Sequence, residues 1–262
     1  MGKIVLLPKS KTLTVKGVKR TIKLLDNSKY DLFNPLLLGL GDIASPSIQI
    51  ESIACVFDLS GFTNFCSQVD PHLAVPEYLS RFLNWLFNKV KEEFVEENFP
   101  IGKKLWANLP FLAKFLGDGV LFLWDTLEMS GVEICNVVVS LNNICDAYAT
   151  EFLPQVQKAV VNPPNALRSG IARGRVFSVG NGEDYVGPCI NIAARLQKLS
   201  LLSFCVSRRG FDFEKDMHEG TASNYILKST VLKGIGEKEL VWVPKEQFDA
   251  LPQEEKRLFR NP

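Results

Sequence analysis

Two aspartates stand within three residues of glycines at the ends of apolar runs, where carboxylates could hold a metal ion. Asp58 follows the run SIACVF, and Asp118 lies between Gly117 and Gly119 in AKFLGDGVLFLWD. Two carboxylates that lie close together repel each other and raise one pKa unless they share a cation. Mg²⁺ and Mn²⁺ are bound by one or two carboxylates together with water and substrate phosphates. The pair therefore predicts a divalent metal site, provided that the two strands are neighbours.

Either motif alone is also ordinary turn chemistry, because Asp and Gly are common in tight turns. The metal interpretation gains weight because the two motifs occur together, each at the end of an apolar run that looks like a buried strand. Gly61, three residues after Asp58, has no Cβ, so backbone N–H groups there could approach phosphate oxygens. These residues point to a substrate that carries phosphate.

The aspartates need strands to position them, and the hydrophobic pattern predicts strands that alternate with helices. The β-branched apolar run at 52–59 predicts a buried strand. Apolar residues at helical spacing predict a long amphipathic helix over 72–97. The runs at 111–116 and 120–124 predict a hairpin around Asp118. Further predicted elements are a helix over 132–153, two strands within 167–180 around Gly174, a helix over 189–200, a strand at 203–207 and a closing pair of strands within 225–243.

This order, β-α-ββ-α-ββ-α-β-ββ, alternates helices with strands that are mostly linked as hairpins. It predicts an α+β fold, an α/β sandwich whose sheet is largely antiparallel and covered by helices. Ligand sites in such folds usually form where loops leave the sheet. Both aspartates occupy such places.

The bulk composition excludes several classes of protein. Lys and Arg number 30 against 29 Asp and Glu, a net charge of +1 that offers no electrostatic case for a nucleic-acid or membrane-surface partner. No apolar run reaches the roughly 18 residues of a membrane span, and the short apolar run near the N-terminus cannot form a signal-peptide core. The six cysteines form no C-x-x-C pair, and the chain has only two histidines. Buried thiols in a reducing cytoplasm are therefore expected, rather than disulfides, a zinc site or a histidine triad.

Four motifs, in order along the chain, resemble the catalytic domain of class III nucleotide cyclases. They are VFDLSGFT (56–63), KFLGDGVLF (114–122), RSGIARGRV (168–176) and DYVGPCINIAARLQ (184–197). The resemblance implies a ferredoxin-like βαββαβ core over 51–245. Residues 1–50, basic and then rich in turns, are expected to be an extension that packs on the domain or on a partner. Residues 246–262 are expected to be a charged surface tail.

The resemblance also implies a two-metal site and its triphosphate contact. Asp58 and Asp118 match the family's metal-binding aspartates, with the backbone carbonyl of Leu59 as a further ligand. Two Mn²⁺ or Mg²⁺ ions per site are implied. Arg175 matches an arginine that contacts the triphosphate of the substrate.

Residues that hold the rest of the nucleotide are implied as well. Lys114 and Asp184 fall where adenylate cyclases carry the pair that reads adenine, and Lys114 could instead be a strand-edge lysine. Asn191 and Arg195, at spacing i, i+4 on one helix face, match the residues that position the ribose and stabilise the transition state. Asn191 could instead cap a helix. In the family these residues and the aspartates come from different subunits, which implies a homodimer with two equivalent sites.

One position departs from the family. A triphosphate-binding Lys or Arg is usual where this chain has Ile235, and Lys233 or Lys238 could replace it. The departure, together with the short free-standing chain, resembles the bacterial Pycsar cyclases. These make cyclic UMP or cyclic CMP from UTP or CTP in response to phage, and a separate effector senses the product. The alternatives are a soluble adenylate cyclase and an inactive cyclase-like domain that binds nucleotide and signals by dimerisation.

Overall fold

The computed structural model describes residues 6, 8–68, 70–199 and 201–262. The apolar run near the N-terminus lies mostly outside the described residues. The chain divides into two compact units: Met1–Gln49 with Phe177–Val186, and Ile50–Val176 with Gly187–Pro262. In this division 177–186 groups with the N-terminal residues and 246–262 groups with the larger unit. The three predicted segments, 1–50, 51–245 and 246–262, stay a prediction.

The elements follow in chain order. The strands are β1 Lys9–Val15, β2 Val18–Leu24, β3 Gln49–Ser60, β4 Val95–Phe99, β5 Gly102–Leu105, β6 Leu112–Phe115, β7 Gly119–Asp125, β8 Ala166–Val179, β9 Asp184–Val186, β10 Phe204–Ser207, β11 Tyr225–Leu232, β12 Gly236–Pro244 and β13 Phe259–Arg260. The helices are α1 Asn27–Tyr30, α2 Phe62–Phe65, α3 Pro71–Phe94, α4 Gly131–Ala147, α5 Leu153–Val156, α6 Pro188–Leu196, α7 Phe213–Asp216, α8 Glu219–Ala222, α9 Lys245–Ala250 and α10 Gln253–Lys256, with a 3₁₀ turn at Pro35–Leu38 and a π turn at Tyr148–Phe152.

The smaller unit contains two hairpins. Strands β1 and β2 pair antiparallel around Lys16 and Gly17, both at positive φ, as a two-residue hairpin turn requires. The end of β8 pairs with β9, Phe177 opposite Val186. The Ser47 hydroxyl donates a 2.7 Å hydrogen bond to the carbonyl of Ser178, which ties the incoming chain to that second hairpin.

The larger unit is built on one sheet, in the strand order β13-β11-β12-β10-β8-β3-β7-β6. Its pairings are antiparallel between β3 and β7, β6 and β7, β10 and β12, and β11 and β12. Strands β8 and β10 pair in parallel. The prediction of a largely antiparallel, helix-covered sheet is confirmed.

Helices α3 and α4 cover one face of this sheet. Ile53, Cys55 and Phe57 of β3 belong to a buried cluster with the apolar stripes of both helices. Side chains alternate between the two faces of a strand, so Asp58 projects towards the opposite face. Helix α6 packs on that opposite face against Gly170 of β8. Asp58, near the end of β3, is partly exposed on that face.

A hydrogen-bonded pair of tyrosines anchors the helical layer. Tyr78 of α3 and Tyr148 after α4 are fully buried, and their hydroxyl oxygens lie 2.7 Å apart. Tyr148 donates to the carbonyl of Pro164 at 2.6 Å, so Tyr78 is left to donate to Tyr148. The pair connects both helices to the chain that enters β8.

Three predicted elements differ from the structure. Residues 166–179 form the single strand β8, because Gly174 is not at positive φ and does not turn the chain. Residues 95–105, predicted to lie at and beyond the end of a helix, form the hairpin β4–β5. The C-terminal residues are not simply a surface tail, because β13 pairs with β11 and Phe259 is buried.

The cysteines are free thiols, as predicted. Cys55, Cys135, Cys145, Cys189 and Cys205 are buried, and Cys66 is partly exposed. Within the described part of the chain, no helix has the length and apolar character needed to cross a membrane.

Candidate active site

Strands β3 and β7 bring the two aspartates together. In their antiparallel register Asp58 is opposite Gly119, the residue that follows Asp118. The Leu59 N–H donates a 2.9 Å hydrogen bond to the carbonyl of Asp118, which extends the pairing past the end of β7. A Cβ at Gly119 would collide with the carbonyl oxygen of Phe57, so only glycine allows this approach. The predicted juxtaposition of the two carboxylates is therefore present.

Both aspartates line one cavity of about 400 Å³ at the edge of the sheet. Burial, and after it the charge of Asp118, raises the pKa of the Asp58 carboxyl above its usual range. Lys198 and Arg168 act in the opposite direction without offsetting that rise. The cavity is lined by Asp58, Leu59, Ser60, Gly61, Phe62, Thr63, Asn64, Asp118, Arg168 and Lys198.

The donor set of this cavity fits a hard divalent cation. Two carboxylates, together with the main chain at Leu59, offer oxygen ligands, which Mg²⁺ and Mn²⁺ prefer. Among the described residues, no group of three or more His, Cys, Asp or Glu side chains is placed to hold a metal. Burial and repulsion by Asp118 raise the pKa of Asp58, and both also favour metal binding. A bound cation would compensate the buried negative charge and reduce the repulsion between the two carboxylates.

Two basic residues in the cavity were not predicted as site residues. Arg168 lies at the start of β8, on the strand next to β3, and Lys198 follows the end of α6. Gly170 allows α6 to pack this closely, because a Cβ there would overlap the backbone of Ala193 and Gln197. Arg168 occurs in a quoted motif, but its proximity to Asp58 depends on strand pairing. No local sequence pattern reveals that pairing.

Helix α6 places Asn191 and Arg195 on its exposed side. The buried side consists of Cys189, Ile192, Ala193 and Leu196, so the two predicted residues share the opposite stripe. Asn191 is inside the helix, whose N-cap is Gly187, and the alternative that Asn191 caps a helix is wrong. Neither residue lines the cavity of its own chain.

Arg175 is not brought to the aspartates of its own chain. Its Nε donates a 2.9 Å hydrogen bond to Oε1 of Glu51, and both side chains are partly exposed. Glu51 precedes Asp58 by seven positions in β3, a separation of about 23 Å along an extended strand. The predicted contact between Arg175 and a triphosphate thus has no support from this arrangement.

Lys114 and Asp184, predicted to read the base, lie in different units. Lys114 is exposed in β6 opposite Leu121, which itself pairs with Val56 of β3. It therefore lies two strand spacings, about 10 Å, from β3. Asp184 begins β9, and its carboxylate accepts a 2.8 Å hydrogen bond from the N–H of Tyr185. Their joint role stays a prediction.

The turn between β11 and β12 contains the position that departs from the family. Lys233 and Lys238 are exposed, and the Ile235 N–H donates to the Leu232 carbonyl at 2.9 Å. Neither lysine lines the cavity of Asp58 and Asp118 in the same chain. Replacement of the missing basic residue by either lysine stays a prediction.

Comparison with known proteins identifies the fold. No family model and no curated protein matches the chain. The adenylyl cyclase CyaB from P. aeruginosa matches with a TM-score of 0.54 and 15% identity, over 76% of this chain and 96% of that one. The guanylyl cyclase Cya2 gives 0.55 at 15% identity, over 76% and 94% of the two chains. The guanylate cyclase domain of RhGC from Catenaria anguillulae, in complex with GTP, gives 0.50 at 16% identity, over 75% and 97%. The predicted class III cyclase fold is confirmed.

Proposed function

We propose that this chain is a nucleotide cyclase, which converts a nucleoside triphosphate to its 3′,5′-cyclic monophosphate and pyrophosphate. The observation that carries the proposal is that Asp58 and Asp118 line one cavity in a fold shared with adenylyl and guanylyl cyclases. Because one fold can host several functions, the proposed activity is argued from the two carboxylates rather than from the fold.

The reaction is an intramolecular displacement that needs no protein nucleophile. The 3′-oxygen of the ribose forms a bond to the α-phosphorus and loses its proton to water, while the bond from that phosphorus to the bridging oxygen breaks and pyrophosphate leaves. Asp58, Asp118 and the Leu59 carbonyl would hold two divalent ions, which stabilise charge on the attacking and leaving oxygens. Arg195 would stabilise charge on the α-phosphoryl group, and Asn191 would orient the ribose.

A homodimer would complete the site. Asn191 and Arg195 are exposed on α6 and do not line the cavity of their own chain. A second copy that presents its α6 to this cavity would supply both residues. Two equivalent sites would then form at the subunit interface.

For the substrate, we favour a pyrimidine nucleotide, UTP before CTP. Support comes from the resemblance to the stand-alone Pycsar cyclases and from Lys114 and Asp184, since lysine and aspartate can pair with the O2, O4 and N3–H groups of uracil. The cyclic nucleotide would act in the cytoplasm as a messenger for a separate effector in defence against phage. The same two residues also suit adenine, so an adenylate cyclase is the second candidate.

The test is incubation with each of the four nucleoside triphosphates and Mn²⁺, with cyclic products and pyrophosphate identified by mass. Cyclic UMP or cyclic CMP as the main product supports the proposal. Cyclic AMP as the main product supports the second candidate. Nucleotide binding without any turnover would show instead an inactive nucleotide-binding module.

A further inference from the structure

The balanced net charge of the whole chain conceals an uneven distribution. Residues 8–25, which contain β1 and β2, hold six of the 30 Lys and Arg residues and none of the 29 Asp and Glu residues. The remainder of the chain is therefore net negative. An anionic partner would be attracted to this hairpin rather than to the chain as a whole.

The strand register divides the side chains of the hairpin between two faces. Successive residues of a strand point to opposite faces, and directly paired residues of an antiparallel pair share a face. On one face each pair joins a basic and an aliphatic residue: Lys9 with Leu24, Lys11 with Ile22, and Leu13 with Arg20. We call this side of the hairpin the basic–aliphatic face.

The opposite face of the hairpin has a different character. Its pairs contain only hydroxyl and lysine side chains: Ser10 with Lys23, Thr12 with Thr21, and Thr14 with Lys19. The hydroxyl oxygens of Thr12 and Thr21 lie 3.5 Å apart, as expected for paired residues on one face. Aliphatic groups are thus concentrated on the other side.

The basic–aliphatic face is open to solvent. Its three basic side chains are exposed, Leu13 and Ile22 are partly exposed, and Leu24 is 48% exposed. Val18, which lies on the same face beside the turn, is 56% exposed. Aliphatic surface in water is unfavourable, and a partner with both apolar and anionic groups would cover it.

We propose that the basic–aliphatic face docks on the surface of an anionic lipid bilayer. Its basic side chains would meet the anionic headgroups, and its aliphatic side chains would enter the boundary between headgroups and acyl chains. Lysine and arginine suit this position, because their methylene stems can lie along apolar groups while the charge stays among the headgroups. Such docking needs no cyclase activity.

Charge alone would also suit a nucleic acid, but the composition of the hairpin favours lipid. Residues 8–25 contain no Phe, Tyr or Trp, the side chains on which unpaired bases stack. Aliphatic groups beside the basic ones gain little from a phosphate backbone, whereas their transfer into a bilayer is favourable. Farther along the same compact unit Phe33, Leu36 and Leu38 are exposed as well.

Flotation of the full chain with lipid vesicles tests the docking. Vesicles of phosphatidylcholine alone would be compared with vesicles of phosphatidylcholine and phosphatidylglycerol at a ratio of about 2 to 1. We expect binding to the anionic vesicles to be tighter by roughly tenfold or more. Added salt should weaken it, because ions screen the charges of the lipid surface.

Two double variants with equal loss of charge separate the faces. Lys11→Gln with Arg20→Gln changes the basic–aliphatic face, and Lys19→Gln with Lys23→Gln changes the opposite face. We expect the first to lose roughly tenfold or more in affinity for the anionic vesicles. The second should lose less than about threefold, because its charges lie about a Debye length farther from the lipid.

The aliphatic side chains distinguish lipid from nucleic acid. Val18→Ser with Leu24→Ser keeps every charge and should lower the affinity for the anionic vesicles by roughly tenfold. Fluorescence anisotropy with a single-stranded RNA and a DNA duplex would be measured on the same proteins. Nucleic-acid binding that is tighter than vesicle binding and insensitive to these two changes would overturn lipid docking and assign the hairpin to nucleic acid.

Other results would also overturn the docking. One is equal binding, or no binding, to the neutral and the anionic vesicles. Another is an equal loss of affinity in the two Gln double variants. A third is a lower oligomeric state of Val18→Ser with Leu24→Ser in sedimentation while its vesicle binding is unchanged, which would make the face a contact between copies. All substituted positions are exposed, and the comparison of the two vesicle types decides even if a variant misfolds.

Discussion

Asp58 lies directly opposite Gly119 in the register of β3 and β7, and Asp118 is the residue just before that glycine. This pairing places two carboxylates, far apart in sequence, in the lining of one cavity. The register itself depends on the absence of a side chain at Gly119, since the Phe57 carbonyl occupies the space where a Cβ would lie.

Asp118→Asn should abolish turnover while the protein stays folded. The amide keeps the size of the side chain but removes the charge that a divalent ion requires, and we expect kcat to fall by about 100-fold or more. Steady-state kinetics with the best substrate of the nucleotide panel would measure the loss. Glu128→Gln, an exposed change outside the cavity, should keep full activity. Full activity in Asp118→Asn would remove Asp118 from the metal site.

A mixture of two inactive variants should regain activity if the site lies between subunits. Asp118→Asn removes a metal ligand that one subunit contributes to each site. Arg195→Ala removes the transition-state residue that the other subunit contributes, so each homodimer is inactive. Random pairing of equal amounts gives half heterodimers, each with one intact site of two, or about a quarter of normal activity. The measurement is activity after the variants are mixed and allowed to exchange subunits. No recovery despite demonstrated exchange would argue for a site within one chain.

Asp58→Asn should stabilise the protein when divalent ions are removed. The folded-state pKa of Asp58 is raised, mainly by burial, so ionisation of this group favours the unfolded state. For the normal chain, stability is therefore lost as pH rises from the ordinary aspartate pKa through the higher folded value, and the variant should lack that loss. Urea unfolding in a chelator between pH 3 and pH 7 would compare the two. A variant less stable than the normal chain near neutral pH would contradict the expectation.

Gly119→Ala should disrupt the pairing of β3 and β7. The added methyl group collides with backbone that cannot move alone, so we expect a loss of about 2 kcal/mol or more in the free energy of unfolding. Gly102→Ala is the matched control, because nothing lies within 4 Å of a Cβ there. That control should change stability by less than about 0.5 kcal/mol. Equal effects of the two substitutions in denaturant unfolding would show that the close approach at Gly119 does not matter.

The hydroxyl groups of the two buried tyrosines should contribute unequally to the free energy of unfolding. Tyr148→Phe leaves the Pro164 carbonyl and the Tyr78 hydroxyl without their partner, with an expected loss of about 2 kcal/mol. Tyr78→Phe removes one hydrogen bond but leaves Tyr148 bonded to Pro164, with an expected loss of about 1 kcal/mol. Thermal or denaturant unfolding of the single variants would rank them. The reverse order would mean that Tyr148 is not the central member of this chain of hydrogen bonds.

Sequence patterns predicted the elements that have a strong local period. The run at 52–59, the hairpin around Asp118, the amphipathic helix after residue 70 and the closing hairpin correspond to β3, β6–β7, α3 and β11–β12. Their apolar residues repeat every two positions or about every 3.6 positions, and either period can be recognised in a short stretch of sequence. The proximity of Asp58 and Asp118 followed once the two strands were assumed to be neighbours.

Other features depend on contacts between distant parts of the chain. The sequence predicts two strands around Gly174, but β8 continues through this residue without a turn. A Cβ added at Gly174 would meet the Cβ of Cys189 at an ordinary contact distance. Arg168 and Lys198 reach Asp58 only because β8 pairs beside β3 and α6 packs on Gly170. Register and helix packing are tertiary properties, and no local spacing encodes them.

Alkylation of the buried cysteines would measure how often the unmodified chain unfolds. Burial raises the pKa of Cys135 to about 12 and that of Cys189 to about 11, and thiolate rather than thiol reacts with alkylating reagents. Of the six cysteines, all within the described residues, only Cys66 is partly exposed. Labelling beyond a single thiol would therefore count molecules that have transiently unfolded, so mass spectrometry could follow every variant above without an attached dye.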